Sequence, residues 1–373
     1  MAKLDVAVLD FGSSKLTLLV GHRTVNGNFA ITASSDIDYA GFMDAEFLEP
    51  DELRLSIKNA VDEVSRALRK PITKLYVGVP GEFCRVEHSQ LNKRYSKKIK
   101  ITNKVLEQLL LNADQHICST THTVINISPV QYVLDETNVT FEPLNAYCNQ
   151  IDVDICFTLA DNDFMSIVGK SLKNIGVEEV EFISSTLAQG EHLFSSDIKH
   201  HGALFVDCGY LTTNGAYFKG EGITNLDSFS MGGAQITAEI SEKMGLPFSV
   251  AEQVKQSLLI TLKPTGIDYY EVYKNNRIEK VQMLPANEIA INVIDEILDN
   301  IKRIIDNYDE LPLDFETLYL TGGGLAYLRG IKHHMTRHLG RKVEIVCPKP
   351  IKYKKPDVSS VISLLDIALG MNE

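Results

Sequence analysis

Three glycine-bearing turns carry the residue types from which a phosphate site is built. Asp10-Phe11-Gly12-Ser13-Ser14-Lys15 follows the apolar run Val6 to Leu9, and Asp207-Cys208-Gly209-Tyr210-Leu211-Thr212 follows Ala203 to Val206. Thr321-Gly322-Gly323-Gly324 follows Leu318 to Leu320. Glycine lets successive backbone N–H groups curl toward an anion, and the Ser13, Ser14 and Thr212 hydroxyls add donors. Asp10 and Asp207 are suited to hold Mg²⁺ through its retained water shell, and Lys15 to neutralise phosphate charge. Two such turns facing each other would clamp a polyphosphate, while the glycine-only turn would let a flat base lie against the backbone. Each turn also has a plainer reading. Asp, Gly and Ser are the commonest residues of ordinary hairpins, and Thr321 to Gly324 also suits a flexible strand-to-helix turn. Three successive glycines are entropically costly, which favours close approach of a ligand as their reason.

Other residues bear on the same chemistry. Tyr210 and Leu211 stand where a phosphate-wrapping loop prefers glycine, and Asn214 is neutral where an acid would orient water or metal. Gly232-Gly233-Ala234 opens a helix carrying Glu239, and Ser249 is the expected cap of the next one. Glu252 and Lys255, three apart, share a helical face. They read either as a weak surface ion pair or as contacts to a ribose hydroxyl and a base. Lys93, Arg94, Lys97, Lys98 and Lys100 crowd one stretch, either as a solvated face or as a docking strip for an acidic partner.

The elements that would position these residues are legible in outline. Strand-like runs at Lys3 to Leu9, Leu16 to Val20 and Phe29 to Ser34 form a meander, with a turn at Asn26-Gly27. Pro50 and Asp51 start a helix reaching about Lys70, and Ile72 to Val79 is a strand. Residues 81–160 read as an insertion with a helix from Asn103 to Ala113 and strands at Thr123 to Ile127, Tyr132 to Leu134 and Gln150 to Leu159. A helix (Asn162 to Ile175) and a strand (Glu179 to Ile183) follow, and a second meander opens at Ala203. Residues 232–306 form a helix-rich unit with a hairpin from Asp268 to Leu284, turned at Asn275-Asn276. Two meanders, each led by Asp-x-Gly, imply a duplicated α/β core.

Composition fits that outline. The chain has 373 residues, 44% hydrophobic, enough for more than one core. A net charge of −12 argues against a nucleic-acid footprint. The six cysteines, Cys118 among them, include no C-x-x-C pair, which suggests reduced thiols in a cytoplasmic protein. No leader and no run of 18 or more apolar residues is visible, so neither secretion nor a membrane span is expected.

Taken in order, these segments resemble the actin-like ATPase superfamily, and within it the FtsA group of bacterial cell-division actin homologues. The resemblance spans nearly the whole chain. It rests on Leu9 to Lys15 as a first phosphate motif, Asp207 to Thr212 as a second, and LTGGGLAYLRG (Leu320 to Gly330) as an adenosine motif. Gly233 to Ile240 and Ala251-Glu252-x-x-Lys255 are similar to stretches beside the nucleotide. SPVQYVLD (Ser128 to Asp135) resembles the 1C subdomain, and Ser359 to Leu365 the returning C-terminal helix. The resemblance implies an α/β, two-lobed actin-like ATPase fold with a duplicated ribonuclease H-like core and a 1C insert. Subdomain 1A would comprise 1–80, 161–198 and 356–373, and 1C would be 81–160, standing off the first lobe. Subdomain 2A would comprise 199–231 and 307–355, and 2B would be 232–306.

It further implies ATP and Mg²⁺ as ligands. Asp10, Gly12, Ser13, Ser14, Lys15, Asp207, Gly209, Thr212, Gly233, Glu252, Lys255, Gly322, Gly323 and Gly324 would bind nucleotide, with Asp10 and Asp207 toward the metal. Where many actin-like proteins carry a Glu-Pro pair that positions the attacking water, this chain reads Ile183-Ser184. With Tyr210, Leu211 and Asn214, that departure implies binding with slow or absent hydrolysis, since positioning groups commonly supply about 10²–10⁴-fold. No catalytic residue is assigned. The implied role is a cytoplasmic scaffold or filament-forming adaptor in cell division. Its partners would be protein subunits: copies of itself, a tubulin-like division protein, or a pilus component. The chain stops at Glu373 without the amphipathic anchor usual in FtsA, so a partner would recruit it to a membrane. Two alternatives stand beside this reading. One is a PilM-like pilus-assembly adaptor. The other is a small-metabolite kinase of the same superfamily, weakened by the lack of a recognisable base.

Overall fold

The computed structural model describes residues 5–25, 27–113, 117, 119–274, 277–308, 317–349 and 353–372. Lys3, Asn26, Cys118, Asn275, Asn276 and Glu373, all named above, lie outside them.

In the first lobe, β1 (Val6–Phe11), β2 (Lys15–Arg23) and β3 (Phe29–Asp38) form an antiparallel meander. β1 is buried along its whole length, which explains the apolar run from Val6 to Leu9. A short hairpin, β4 (Phe42–Met43) and β5 (Glu46–Phe47), precedes α1 (Pro50–Leu68). That helix starts on a proline with Asp51 and Glu52 in its first turn, where the dipole favours acids, and buries Leu53, Ile57, Val61 and Val64. β6 (Lys74–Val79) then pairs parallel to β1.

The inserted segment contains β7 (Cys84–Lys100), α2 (Asn103–Ala113), β8 (His122–Leu134), β9 (Asn138–Thr140) and β10 (Tyr147–Asp161). The strands form one antiparallel sheet in the order β7-β10-β8-β9. The basic stretch is thus the exposed end of an edge strand of 17 residues. Its charges disguised a strand whose pairing lies wholly on one side. Lysine along an edge also discourages pairing with another chain.

The chain returns through α3 (Asn162–Lys173), capped by the Asp161 carboxylate, and β11 (Glu179–Ser184), which completes a sheet of order β11-β6-β1-β2-β3. Two helices, α4 (Ser185–Leu193) and α5 (Ser196–His201), lead into the second lobe. There β12 (Ala203–Cys208), β13 (Thr213–Lys219) and β14 (Gly222–Phe229) form another antiparallel meander. Next come α6 (Gly233–Met244), α7 (Phe248–Ser257), the hairpin β15 (Tyr269–Lys274) and β16 (Arg277–Gln282), and α8 (Met283–Asp306). β17 (Leu318–Thr321), α9 (Ile331–Leu339), β18 (Val343–Ile345) and α10 (Ser359–Gly370) end the chain. The second sheet has the order β14-β13-β12-β17-β18, with β17 parallel to β12 and β18 parallel to β17. Each lobe therefore holds three antiparallel strands followed by two parallel ones, laid out in the same order.

One expectation is corrected here. Ser249 does not cap α7; the helix begins at Phe248, and the Pro247 carbonyl accepts from the Val250 and Ala251 N–H groups. The rigid proline presets the entry, so no side-chain cap is used. The segment expected to stand off the first lobe also touches the second. The Glu221 N–H donates to the Pro129 carbonyl at 3.0 Å, and the His88 ring bonds the Thr224 carbonyl at 2.7 Å. At Gly220, with φ of +60°, a Cβ would lie 2.0 Å from the Val130 carbonyl oxygen. The insert is seated against the β13–β14 turn of the second lobe as well as on the first.

Candidate functional site

The two Asp-x-Gly turns have the same construction. Gly12 N–H donates to the Lys15 carbonyl at 2.9 Å, and Gly209 N–H to the Thr212 carbonyl at 2.8 Å. Asp10 pairs across its hairpin with Thr17, and Asp207 with Asn214, the same separation in sequence. The turns meet: the Ser13 hydroxyl accepts from the Leu211 N–H at 2.9 Å. Tyr210 and Leu211 are thereby built into the fold. Their backbone is held by Ser13 on one side and by Ala234 N–H on the Tyr210 carbonyl (2.8 Å) on the other.

Between the sheets lies a cavity of about 390 Å³, lined by every nucleotide-site residue singled out from the sequence, from Asp10 to Gly324. That volume is within the ordinary range for small-molecule sites, about 300–1,000 Å³. Its lining also includes residues the sequence reading missed: Ser185, Thr186 and Gln189 on α4, and Ser360 at the start of α10. Hydroxyl residues in a first helical turn look like capping residues, and only the meeting of two remote helices reveals these as cavity groups. Neither Ile183 nor Ser184 lines the cavity. Ile183 packs in the core against α10, and the Ser184 hydroxyl caps α4 by accepting from Leu187 N–H. Ser185 and Thr186 are the residues of that segment that face the cavity.

Both acids sit in low-dielectric surroundings. The Asp10 Oδ1 accepts from Ser360 Oγ (2.8 Å) and Ser185 Oγ (3.2 Å). Burial nevertheless pushes its carboxyl up to about 6, with the Asp207 charge adding to the rise. Burial also raises Asp207, partly offset by Gln189 Nε2, which donates to its Oδ2 at 2.8 Å. Among the described residues, the buried Asn214 Oδ1 has no hydrogen-bond partner. A buried carboxyl at Asp10, a half-buried one at Asp207 and an unsatisfied amide oxygen make an oxygen-only donor set suited to a hard cation. Among the described residues no third His, Cys, Asp or Glu joins the two acids. This suits Mg²⁺, which takes one or two carboxylates and completes its shell with water and phosphate.

On the other side of the cavity, Lys255 Nζ bonds Glu252 (2.7 Å) and the Gly233 carbonyl (3.1 Å). The Thr237 hydroxyl donates to the same Glu252 carboxylate at 2.6 Å. Burial works against ionisation of Glu252, yet Lys255 and Thr237 hold it below the usual carboxylate range. The pair is therefore a real ion pair that also lines the cavity, and Lys255 is nearly buried. The glycine-only turn has a cause besides ligand approach. A Cβ on Gly322, whose φ is +86°, would lie 2.3 Å from Asp207 Oδ1, and one on Gly324 2.2 Å from the Gly209 carbonyl oxygen. Two of the three glycines let the β17 turn pack onto the β12 turn.

Two lobes with sheets of one design, closed over a cavity lined by paired Asp-x-Gly turns, define the actin-like ATPase fold. Comparison with known proteins narrows this. A family model described as "Cell division protein FtsA" matches residues 204–363. Cell division protein FtsA of Bacillus subtilis (strain 168) is 22% identical over 373 residues, covering 96% of this chain and 82% of the relative. Among solved structures, the PilM-PilN type IV pilus biogenesis complex is similar with a TM-score of 0.66 at 17% identity, covering 98% of this chain and 99% of that one. MreB 5 of Spiroplasma citri bound to AMPPNP is similar with a TM-score of 0.55 at 11% identity, covering 100% and 98%. The chain is FtsA-like in sequence and actin-like in fold.

Proposed function

We propose that this protein is an ATP-binding, FtsA-like scaffold of bacterial cell division that holds nucleotide in the cleft and turns it over slowly. The observation that carries this reading is the convergence of both Asp-x-Gly turns and the glycine turn on one cavity. Backbone N–H groups of Ser13, Ser14, Tyr210 and Thr212 would bind phosphate, while those of Gly12, Gly209 and Leu211 hold the two turns in shape; the N-terminal ends of α4, α6 and α10, whose dipoles favour an anion, would help. Lys15 sits at the rim, paired with Asp36 at 3.5 Å, and would be shared with phosphate. Glu252 and Lys255 would meet the ribose and base, and Gly322 to Gly324 would back the base. Mg²⁺, when bound by Asp10 and Asp207, would neutralise phosphate charge.

Slow turnover follows from the groups on the water side. Ser185 and Thr186 offer hydroxyls where a carboxylate would orient water, and Gln189 is committed to Asp207. Phosphoryl transfer depends on positioning, so these residues lower turnover more than affinity. The insert, 81–160, would be the 1C subdomain, through which partners or further copies dock. The two lobes would divide into subdomains 1A, 2A and 2B of a duplicated ribonuclease H-like core.

The test is capture from native cells with the purified chain, read by mass spectrometry, with phosphate release measured on the same sample. A tubulin-like division protein among the captured partners, with phosphate release near background, supports the proposal. The structural similarity to the PilM-PilN complex favours a second reading, a pilus-assembly adaptor. Capture of pilus components without division proteins would establish that reading instead.

A further inference from the structure

We propose that Asp295, His334 and His338 form a binding site for a zinc-type divalent ion where α8 meets α9, on a face of the second lobe separate from the nucleotide cavity. Helix α8 carries Asp295 and Asp299 four residues apart, and α9 carries His334 and His338 four residues apart. That spacing puts each pair on one helical face. The two faces oppose each other, and one ligand atom from each of Asp295, His334 and His338 lies within 4.8 Å of the others. The individual separations are 2.6 Å from His334 Nε2 to Asp295 Oδ1 and 3.3 Å from His338 Nδ1 to the same oxygen. Ligands around a tetrahedral zinc, at about 2.0–2.1 Å from the ion, stand about 3.3 Å apart. Small rotations of the rings and carboxylate would admit the metal.

The fourth residue supplies the argument that separates a metal site from a chance ion pair. His338 Nε2 lies 2.8 Å from Asp299 Oδ1. With the ring proton on Nε2 and donated to Asp299, the Nδ1 lone pair points at Asp295 and is available to a metal. A carboxylate behind a ligating imidazole fixes its tautomer and raises its basicity. Two imidazoles and one carboxylate suit zinc over the oxygen-seeking Mg²⁺ or Ca²⁺. His334 and His338 are 18% and 24% exposed, so an ion can enter while the rings remain held. None of these residues lines the nucleotide cavity. The inner side of α9 is already packed through Ile331 and Met335. A metal would fasten its outer side to α8, steadying the helix that follows the glycine turn.

The test uses the full chain, stripped with EDTA and titrated with Zn²⁺ by calorimetry and with Co²⁺ by visible absorption. One Zn²⁺ per chain, a rise in melting temperature, and a Co²⁺ spectrum without thiolate charge-transfer bands are expected. His334→Gln and His338→Gln should each weaken binding by more than about tenfold, and Asp299→Asn by about 10–100-fold, as loss of a supporting carboxylate does elsewhere. Because affinity is read directly, a variant that is less stable without metal still reports. Absence of Zn²⁺ binding, equal affinity in the histidine variants, or a cysteine-type Co²⁺ spectrum would overturn the proposal, leaving the cluster a network of His–Asp hydrogen bonds.

Discussion

The Ser13 hydroxyl accepts a hydrogen bond from the Leu211 backbone N–H at 2.9 Å, joining the two phosphate-type turns across the cleft. One turn belongs to each lobe, so this bond reports lobe closure. Ser13→Ala is expected to speed amide exchange at Leu211 and to weaken ATP affinity about fivefold, the size of one net hydrogen bond of about 1 kcal/mol. Hydrogen-exchange mass spectrometry and calorimetry on the same variant check both. Unchanged exchange at Leu211 would mean that other contacts hold the lobes together.

Asp10 makes the nucleotide-free protein less stable as pH rises. Its folded pKa, about 6, lies above the ordinary carboxylate value of 3.8. Between those values the folded state binds more protons than the unfolded one, so stability falls with rising pH through that window and levels off above it. Asp10→Asn should remove the fall and raise stability at pH 7–8 by up to about 3 kcal/mol. The Ser185 and Ser360 hydroxyls can still donate to the amide oxygen. Urea denaturation at pH 5 and pH 8 measures it, and an equal pH dependence in the variant would contradict the assignment.

Asp366 predicts the opposite sign. It bonds His192 Nδ1 at 2.7 Å and Arg23 Nη1 at 2.5 Å, tying α10 to α4 and β2. Burial works against its ionisation, but His192 and Arg23 prevail and hold the carboxyl below the usual range. Its stabilisation is therefore present above the ordinary carboxylate pKa and lost as pH falls through the lower folded value. Asp366→Asn should cost about 1–3 kcal/mol at pH 7 and flatten the acid limb below about pH 4. Thermal melts from pH 2 to 7 would show it.

Gly322→Ala and Gly340→Ala separate backbone strain from loss of the site. Both glycines have positive φ, +86° and +66°, but among the described residues nothing lies within 4 Å of a Cβ at Gly340. Each substitution is expected to cost about 1–3 kcal/mol in strain. At Gly322 the new methyl also collides with Asp207 Oδ1. Only Gly322→Ala should abolish ATP binding, as read by calorimetry. Equal ATP affinity in the two variants would remove Asp207 from the site.

What was legible in the sequence was what local chemistry writes plainly. Buried strands such as β1 and β12 show as apolar runs, and the turns after them show as Asp and Gly, so the paired loops and the doubled meander were visible. The residues that close the cavity were not. Ser185 and Ser360 lie 175 positions apart and meet at Asp10 only through the packing of α10 beside α4. The same limit applies to β7, whose basic side chains hide a strand, and to Gly322 and Gly324, whose closest neighbours belong to another turn. Local pattern announces turns and strands; it is silent on which remote groups share a face.

Calorimetric titration with ATP, with and without Mg²⁺, tests the central claim most directly. One ATP is predicted per chain, bound more tightly with Mg²⁺ than without it, and Asp10→Asn should lose most of that difference. Absence of binding at about 1 mM ATP, the upper end of ordinary enzyme affinities for substrates, would contradict the account. So would binding of equal strength with and without Mg²⁺.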